Sequence, residues 1–184
     1  MTQEELCERL NQLYDLYRTT LLSKKYYGCR LEELRNLNRN MEIAVAVGSS
    51  SAIAAWGIWG KNTGGYIWAF ITGIATILAT LKPILQLPKQ IERYSKLQVG
   101  YADLYYDLKR AVEAVAIEQA LSGPTQEAIA QAKDRYKHLS LEDDPKPRRG
   151  LVQKCEEEVR KEVPVEDLPA PKIVSSTPTS ILRQ

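Results

Sequence analysis

From Gln3 to Asn40 the apolar residues Leu6, Leu10, Leu13 and Tyr17, and then Tyr27, Leu31 and Leu34, recur at spacings that alternate four and three. With no proline in the stretch and Gly28 as its one glycine, this pattern predicts a single helix over 1–40 whose stripe needs a partner helix. At ~1.5 Å per residue it would reach roughly 55 Å. Past Pro88 the same spacing returns at Leu97, Tyr101, Leu104, Leu108, Ala111 and Val115. The stretch 88–121 is therefore read as a returning helix that buries its stripe against the first. Ser122, Gly123 and Pro124 close that run. Pro124 suits a helix start and Ile129, Ala132 and Tyr136 share a face, so a short helix is expected over 122–139. In 140–184, LEDDPKPRRG is a linker by composition, LVQKCEEEVRKE is a short amphipathic set, and VPVEDLPAPKIVSSTPTSILRQ is rich in proline and serine. This part is expected to be a linker and a tail that is disordered or orders on binding.

Between the two striped helices the periodicity gives way to segments that are apolar all round. Residues 41–60, MEIAVAVGSSSAIAAWGIWG, carry one charge, Glu42, and residues 66–87, YIWAFITGIATILATLKPILQL, carry one, Lys82. A helix of twenty such residues is about 30 Å long, the thickness of a bilayer's hydrocarbon core. The intervening KNTGG, residues 61–65, is turn chemistry. These features predict an all-α membrane protein, a two-helix transmembrane hairpin with long antiparallel cytoplasmic helices and a short third helix. Two helices buried in a large core would show similar runs, but no other segment of the chain is apolar enough to cover them.

Orientation follows from the basic residues near the spans. Lys24, Lys25, Arg30, Arg35 and Arg39 precede them and Lys89, Arg93 and Lys96 follow, against Lys61 alone in the turn. Trp56, Trp59, Tyr66 and Trp68 gather around that turn as interfacial anchors. Both termini are thus expected on the cytoplasmic side of the inner membrane.

Composition adds mainly exclusions. The 44% hydrophobic fraction and mean hydropathy of -0.33 average two unlike kinds of sequence. A net charge of +2 from 25 basic and 23 acidic residues gives no field for nucleic acid, which is not expected as a partner. Cys7, Cys29 and Cys155 are too far apart to suggest a zinc site or a disulfide framework. The opening MTQEELCERL lacks a secretory signal pattern, so the first apolar segment is expected to be retained. With one histidine, His138, and no G-x-S-x-G, phosphate loop or metal-ligand spacing, the chain is read as a non-enzyme without cofactor or metal.

Within the apolar segments, Ala44, Gly48 and Ala52 form one ridge of small residues and Ala69 and Gly73 another, suited to close helix packing. Thr72, Thr76 and Thr80 form a hydroxyl stripe, with Ser49, Ser50 and Ser51 in the facing segment. Such hydroxyls line a wet path in an oligomer or bond their own helix carbonyls. Glu42 and Lys82 lie at similar depth as a candidate ion pair, or each snorkels to water. The tyrosines of YDLY, KKYY and YADLYYDL read mainly as seam residues on the striped helices.

The arrangement of KKYYGCRLEELRNLNRN before MEIAVAVG, with LKPILQLPKQIERYSKLQVGYADLYYDL after the second apolar segment, resembles the SLATT family of bacterial two-TM effector domains over about residues 10–140. The resemblance implies an oligomeric membrane effector that perturbs or forms pores in the inner membrane during antiviral defence. It also implies a homo-oligomer in the lipid bilayer, activated by a cytoplasmic sensor or nucleotide-signalling partner. The alternative expectation is a non-conducting, membrane-anchored scaffold that recruits cytoplasmic partners through its coiled stalk and tail.

Overall fold

The computed structural model describes residues 3–49, 64–118 and 121–164, and within its helices leaves the side chains of 3, 47–49, 64–72, 82 and 83 outside the description. The described residues form five helices and no strand: α1 (Gln3–Ser49), α2 (Gly64–Leu85), α3 (Leu87–Glu118), α4 (Gly123–Ser140) and α5 (Arg149–Glu162). The chain divides into two units, Met1–Ser23 with Gly100–Gln184, and Lys24–Val99. The division falls inside both α1 and α3.

In the first unit, α1 buries Leu10, Leu13, Tyr14, Tyr17 and Leu21, and α3 buries Tyr101, Leu104, Tyr105, Leu108, Ala111 and Val115. These positions recur every three or four residues, so each helix turns one continuous apolar face inward. The Tyr17 and Tyr105 rings stack with centroids 5.1 Å apart, locking α1 to α3. Leu121, Thr125, Ile129 and Ala132 bring the start of α4 into the same core. Pro124 occupies the first turn of α4, where its missing N–H leaves no helical bond unmade. The far end of α4 approaches α3 at Gly100, where a Cβ would lie 2.6 Å from the Leu139 side chain. Asp107 of α3 accepts from both Arg110 and Arg135, tying α4 to α3 on the outside. α5 buries Cys155 and Val159.

In the second unit, Tyr26, Tyr27, Leu31, Leu34 and Met41 of α1, Ala75 of α2, and Leu87, Tyr94 and Leu97 of α3 are buried. Tyr27 and Tyr94 meet at 5.7 Å between ring centroids, and the Arg30 guanidinium lies 5.4 Å from the Tyr94 centroid. α2 and α3 are separated by Gln86 alone, at φ 45°. That left-handed residue ends α2 as glycine commonly does. Its carbonyl accepts from the Lys89 and Gln90 amides at 3.0 and 3.2 Å. The Gln90 side-chain amide donates to the Leu85 carbonyl at 2.9 Å, capping a group the ended helix leaves open.

Among the described residues no helix is long and apolar enough to cross a membrane, which corrects the transmembrane hairpin. The segment 41–60 does not begin a separate apolar helix: its first nine residues are the end of α1, a helix of 47 residues that is charged over most of its length. The remainder, 50–60, lies outside the described residues. In α2 the apolar run from Tyr66 reaches only Leu81 before Lys82 and Pro83, sixteen residues that include Thr72, Thr76 and Thr80, short of the ~20 a span requires. The lipid bilayer as partner, the inner-membrane localisation and the cytoplasmic placement of both termini rested on that hairpin and are corrected with it. α2 leaves Ile74, Ile77, Leu81, Ile84 and Leu85 exposed.

A non-glycine residue in the left-handed region costs roughly 1–2 kcal/mol. Gln86→Gly is expected to raise stability by about 1 kcal/mol, read as a later unfolding midpoint in urea, and Gln86→Val is expected to lower it. A lower midpoint for the glycine variant would show that the Gln86 side chain outweighs the backbone strain.

Candidate recognition cleft and the tyrosine core beneath it

α1 and α4 run in the same direction where they meet, since Arg9 pairs with Gln126 and Gln12 with Lys133. Between them lies a cleft of about 290 Å3 lined by Arg9, Gln12, Leu121, Gln126, Ile129, Ala130 and Lys133. Helical spacing builds it from few positions. α1 supplies Arg9 and Gln12 three apart, and α4 supplies Gln126, Ile129, Ala130 and Lys133 at i, i+3, i+4 and i+7, all on one face. Leu121 and Ile129 are buried and form an apolar floor.

The cations are held by neutral groups. Arg9 Nη1 donates to Gln126 Oε1 at 2.9 Å, and Lys133 Nζ donates to Gln12 Oε1 at 2.8 Å. Each amide is oriented from its other end: Gln126 Nε2 donates to the Leu121 carbonyl at 3.1 Å, and Gln12 Nε2 to Glu8 at 3.3 Å. An amide carbonyl offers a dipole where a carboxylate offers a full charge, so both positive charges persist. Among the described residues neither Arg9 nor Lys133 forms an ion pair. Arg135 and Arg110, by contrast, share the Asp107 carboxylate.

Behind the cleft, the Tyr17 hydroxyl donates to the Tyr105 hydroxyl at 3.1 Å. Burial, reinforced by that hydrogen bond, pushes the Tyr17 phenol well above its ordinary ionisation range. Burial also raises Tyr14, and burial with the nearby Asp143 charge raises Tyr136. Tyr101, fully buried, donates to Asp143 Oδ1 at 2.8 Å. The Thr20 hydroxyl is fully buried and finds no hydrogen-bond partner among the described residues. Among those residues, no group of three or more His, Cys, Asp or Glu is placed to hold a metal ion.

The residues singled out by sequence are placed differently. Ala44 is half-buried on α1, and Gly48 is on α1 with no described surroundings. Ala52, Trp56 and Trp59 lie outside the described residues, as do 165–184 of the tail. Ala69, Thr72, Tyr66 and Trp68 are on α2, where their side chains are not described. Gly73 is exposed, and a Cβ there would meet nothing within 4 Å. Thr76 and Thr80 are exposed, and the Thr80 hydroxyl donates to the Thr76 carbonyl at 2.9 Å. Glu42 is exposed and accepts from Asn38 at 3.0 Å; the side chain of Lys82 is not described. His138 is exposed in the last turn of α4. Sequence reasoning missed Arg9, Gln12, Gln126 and Lys133, having weighed the charges only as a net sum. The i, i+3, i+7 recurrence of Gln126, Ile129 and Lys133 was the signal available.

No family model matches the chain, and neither a curated protein nor a solved structure matches it. The resemblance to the SLATT family is corrected on that finding: it rested on helix order and tyrosine placement around two spans, and the described helices include none able to span. With it go the pore-forming antiviral effector, the membrane-anchored scaffold, the homo-oligomer and the sensor or nucleotide-signalling partner, each inferred from the hairpin or the family.

A phenol that ionises at higher pH in the folded chain contributes stability that is fully present below its unfolded value of 10.0 and is lost as pH rises through the folded value. The urea midpoint is therefore expected to fall as pH is raised past 10.0, and Tyr17→Phe to flatten that fall. An identical alkaline slope in the variant would remove Tyr17 from the titration. Thr20→Val keeps the side-chain shape and removes the unsatisfied hydroxyl, so it is expected to stabilise by about 1 kcal/mol in the same assay.

Proposed function

We propose that the chain is a non-catalytic recognition protein that binds an acidic, partly apolar segment of another protein in the cleft between α1 and α4. The observation that carries this reading is the pairing of Arg9 and Lys133 with neutral amides across an apolar floor. Both cations are fixed in place by partners that leave their charge uncompensated, so an entering carboxylate gains a charge-assisted bond without first breaking an ion pair. The Leu121 and Ile129 floor asks for an apolar side chain between the acids.

The form of the site favours a peptide over other anions. Aromatic side chains that would stack bases are missing from the lining residues, which argues against single-stranded nucleic acid. The volume of about 290 Å3 is at the bottom of the range for small-molecule pockets, ~300–1,000 Å3, and suits one or two side chains of a larger partner. The non-catalytic part of the reading is supported by the lining of the cleft, which holds no histidine, cysteine, serine or carboxylate to act as acid, base or nucleophile.

The test is calorimetric titration of the full chain with short flexible peptides of glutamate and leucine, and with matched peptides in which glutamine replaces glutamate. The acidic peptides are expected to bind and to weaken with added salt. Lys133→Glu and Arg9→Glu are each expected to weaken binding by about tenfold or more, which corresponds to about 1.4 kcal/mol. Equal binding of the glutamine peptides, or indifference to both substitutions, would overturn the reading.

A further inference from the structure

We propose that the chain regulates its own cleft: residues 165–168, VEDL, just past α5, occupy the site between α1 and α4 in cis, and an acidic segment of a partner must displace them. This rests on the acidic-segment reading and adds the competitor that sets how strongly the site binds.

The match is first one of chemistry. The cleft presents Arg9 and Lys133 across an apolar floor. In 165–184 the acids are Glu166 and Asp167, side by side between Val165 and Leu168. Paired carboxylates between apolar side chains are what such a surface selects, and either acid can meet either cation. The other acid runs of the chain are committed elsewhere. Asp143, in the run from Glu142 to Asp144, accepts from Tyr101, and Glu156, Glu157 and Glu158 are built into α5. Pro164, Pro169 and Pro171 bracket VEDL in sequence. Each proline fixes its own φ, so less conformational freedom is lost when the segment is held.

The second match is one of reach, within the first unit alone. α5 ends at Glu162, Val163 leaves helical geometry at φ -131° and ψ 77°, and Pro164 follows. Beside burial and the Tyr105 hydrogen bond, the Glu162 carboxylate is close enough to Tyr17 to raise its phenol, which sets the end of α5 near that level of α1. From Tyr17 back to Gln12 is about 7.5 Å along the helix axis and to Arg9 about 12 Å. Glu166 and Asp167 follow Glu162 by four and five residues, up to about 14 and 18 Å of chain. That length suffices even around a helix ~10 Å across. So short a tether supplies an effective concentration of about 1 mM. A segment whose own Kd is about 0.1 mM then fills the cleft about nine-tenths of the time and weakens a competing peptide about tenfold.

The experiment is calorimetric titration of the full chain, and of the full chain carrying Glu166→Gln with Asp167→Asn, with a synthetic peptide of residues 163–171, VPVEDLPAP, and with the glutamate and leucine peptides. Both substitutions lie beyond α5 in sequence and remove no helix contact described above. The double variant is expected to bind each peptide at least about tenfold tighter than the unsubstituted chain. Adding Lys133→Glu, at an exposed position, is expected to abolish that gain. The ratio is expected to stay the same at tenfold lower protein concentration, because a tethered competitor does not dilute. Equal affinities for the two chains would overturn the occupancy in cis while leaving the acidic reading intact. A ratio that falls to one on dilution would also overturn it, since the competitor would then be a second copy. Binding of no acidic peptide by either chain would overturn both proposals, whereas binding by the double variant alone would support both.

Discussion

A tyrosine buried between two helices brings a hydroxyl that must find a partner away from water, and in this chain Tyr17 and Tyr105 satisfy each other at 3.1 Å while their rings stack. The requirement is strict because an unmade hydrogen bond in a dry core costs about 1–3 kcal/mol. A slip of α3 by one residue would turn Tyr105 about 100° away from Tyr17. The pair therefore fixes the rotation and level of α3 against α1 in the first unit, and the fully buried Leu13, Leu104 and Tyr101 pack around that setting.

The position of α4 follows from it. With α3 set, Gly100 presents a gap that Leu139 fills, the Tyr101 hydroxyl reaches Asp143 just past the end of α4, and Asp107 meets Arg135. These contacts fix the far half of α4 against α3. Its near half then lies alongside the first turns of α1 with Arg9 opposite Gln126 and Gln12 opposite Lys133. The cleft is thus a by-product of core packing: its two charges stand on positions that the tyrosines have already placed. That division of labour, an aromatic core for position and a polar rim for selection, is the one rigid binding surfaces require.

The helical stripes were legible in the sequence because a recurrence of three and four residues is a local property. Leu10, Leu13 and Tyr17, and Leu97, Tyr101, Leu104 and Leu108, are buried where the spacing put them. Hydropathy misled where it averaged over windows. In 41–60 and 66–87 it counted apolar residues and gave too little weight to the continuity of α1 through Met41 and to Lys82, which ends the apolar run of α2 while the helix itself continues to Leu85. The cleft was not legible at all. The bond between Arg9 and Gln126 joins residues 117 positions apart, and no local pattern announces which of 25 basic residues will be met by an amide and which by a carboxylate. The left-handed Gln86 was equally hidden, since its neighbours Pro83 and Pro88 signal a break without saying which residue takes the turn.

The attachment of α5 has a consequence for chemistry as well as for shape. The helix is 14 residues long and has two buried residues, Cys155 and Val159. Helices of that length are marginal by themselves, so α5 needs its packing on the first unit, to which those two positions supply the buried side chains. Cys155 is fully enclosed, whereas Cys7 is exposed and Cys29 half-buried. A thiol reagent will therefore consume Cys7 at its intrinsic rate and Cys155 only when α5 lifts. The ratio of the two rates turns an ordinary cysteine into a clock for that motion.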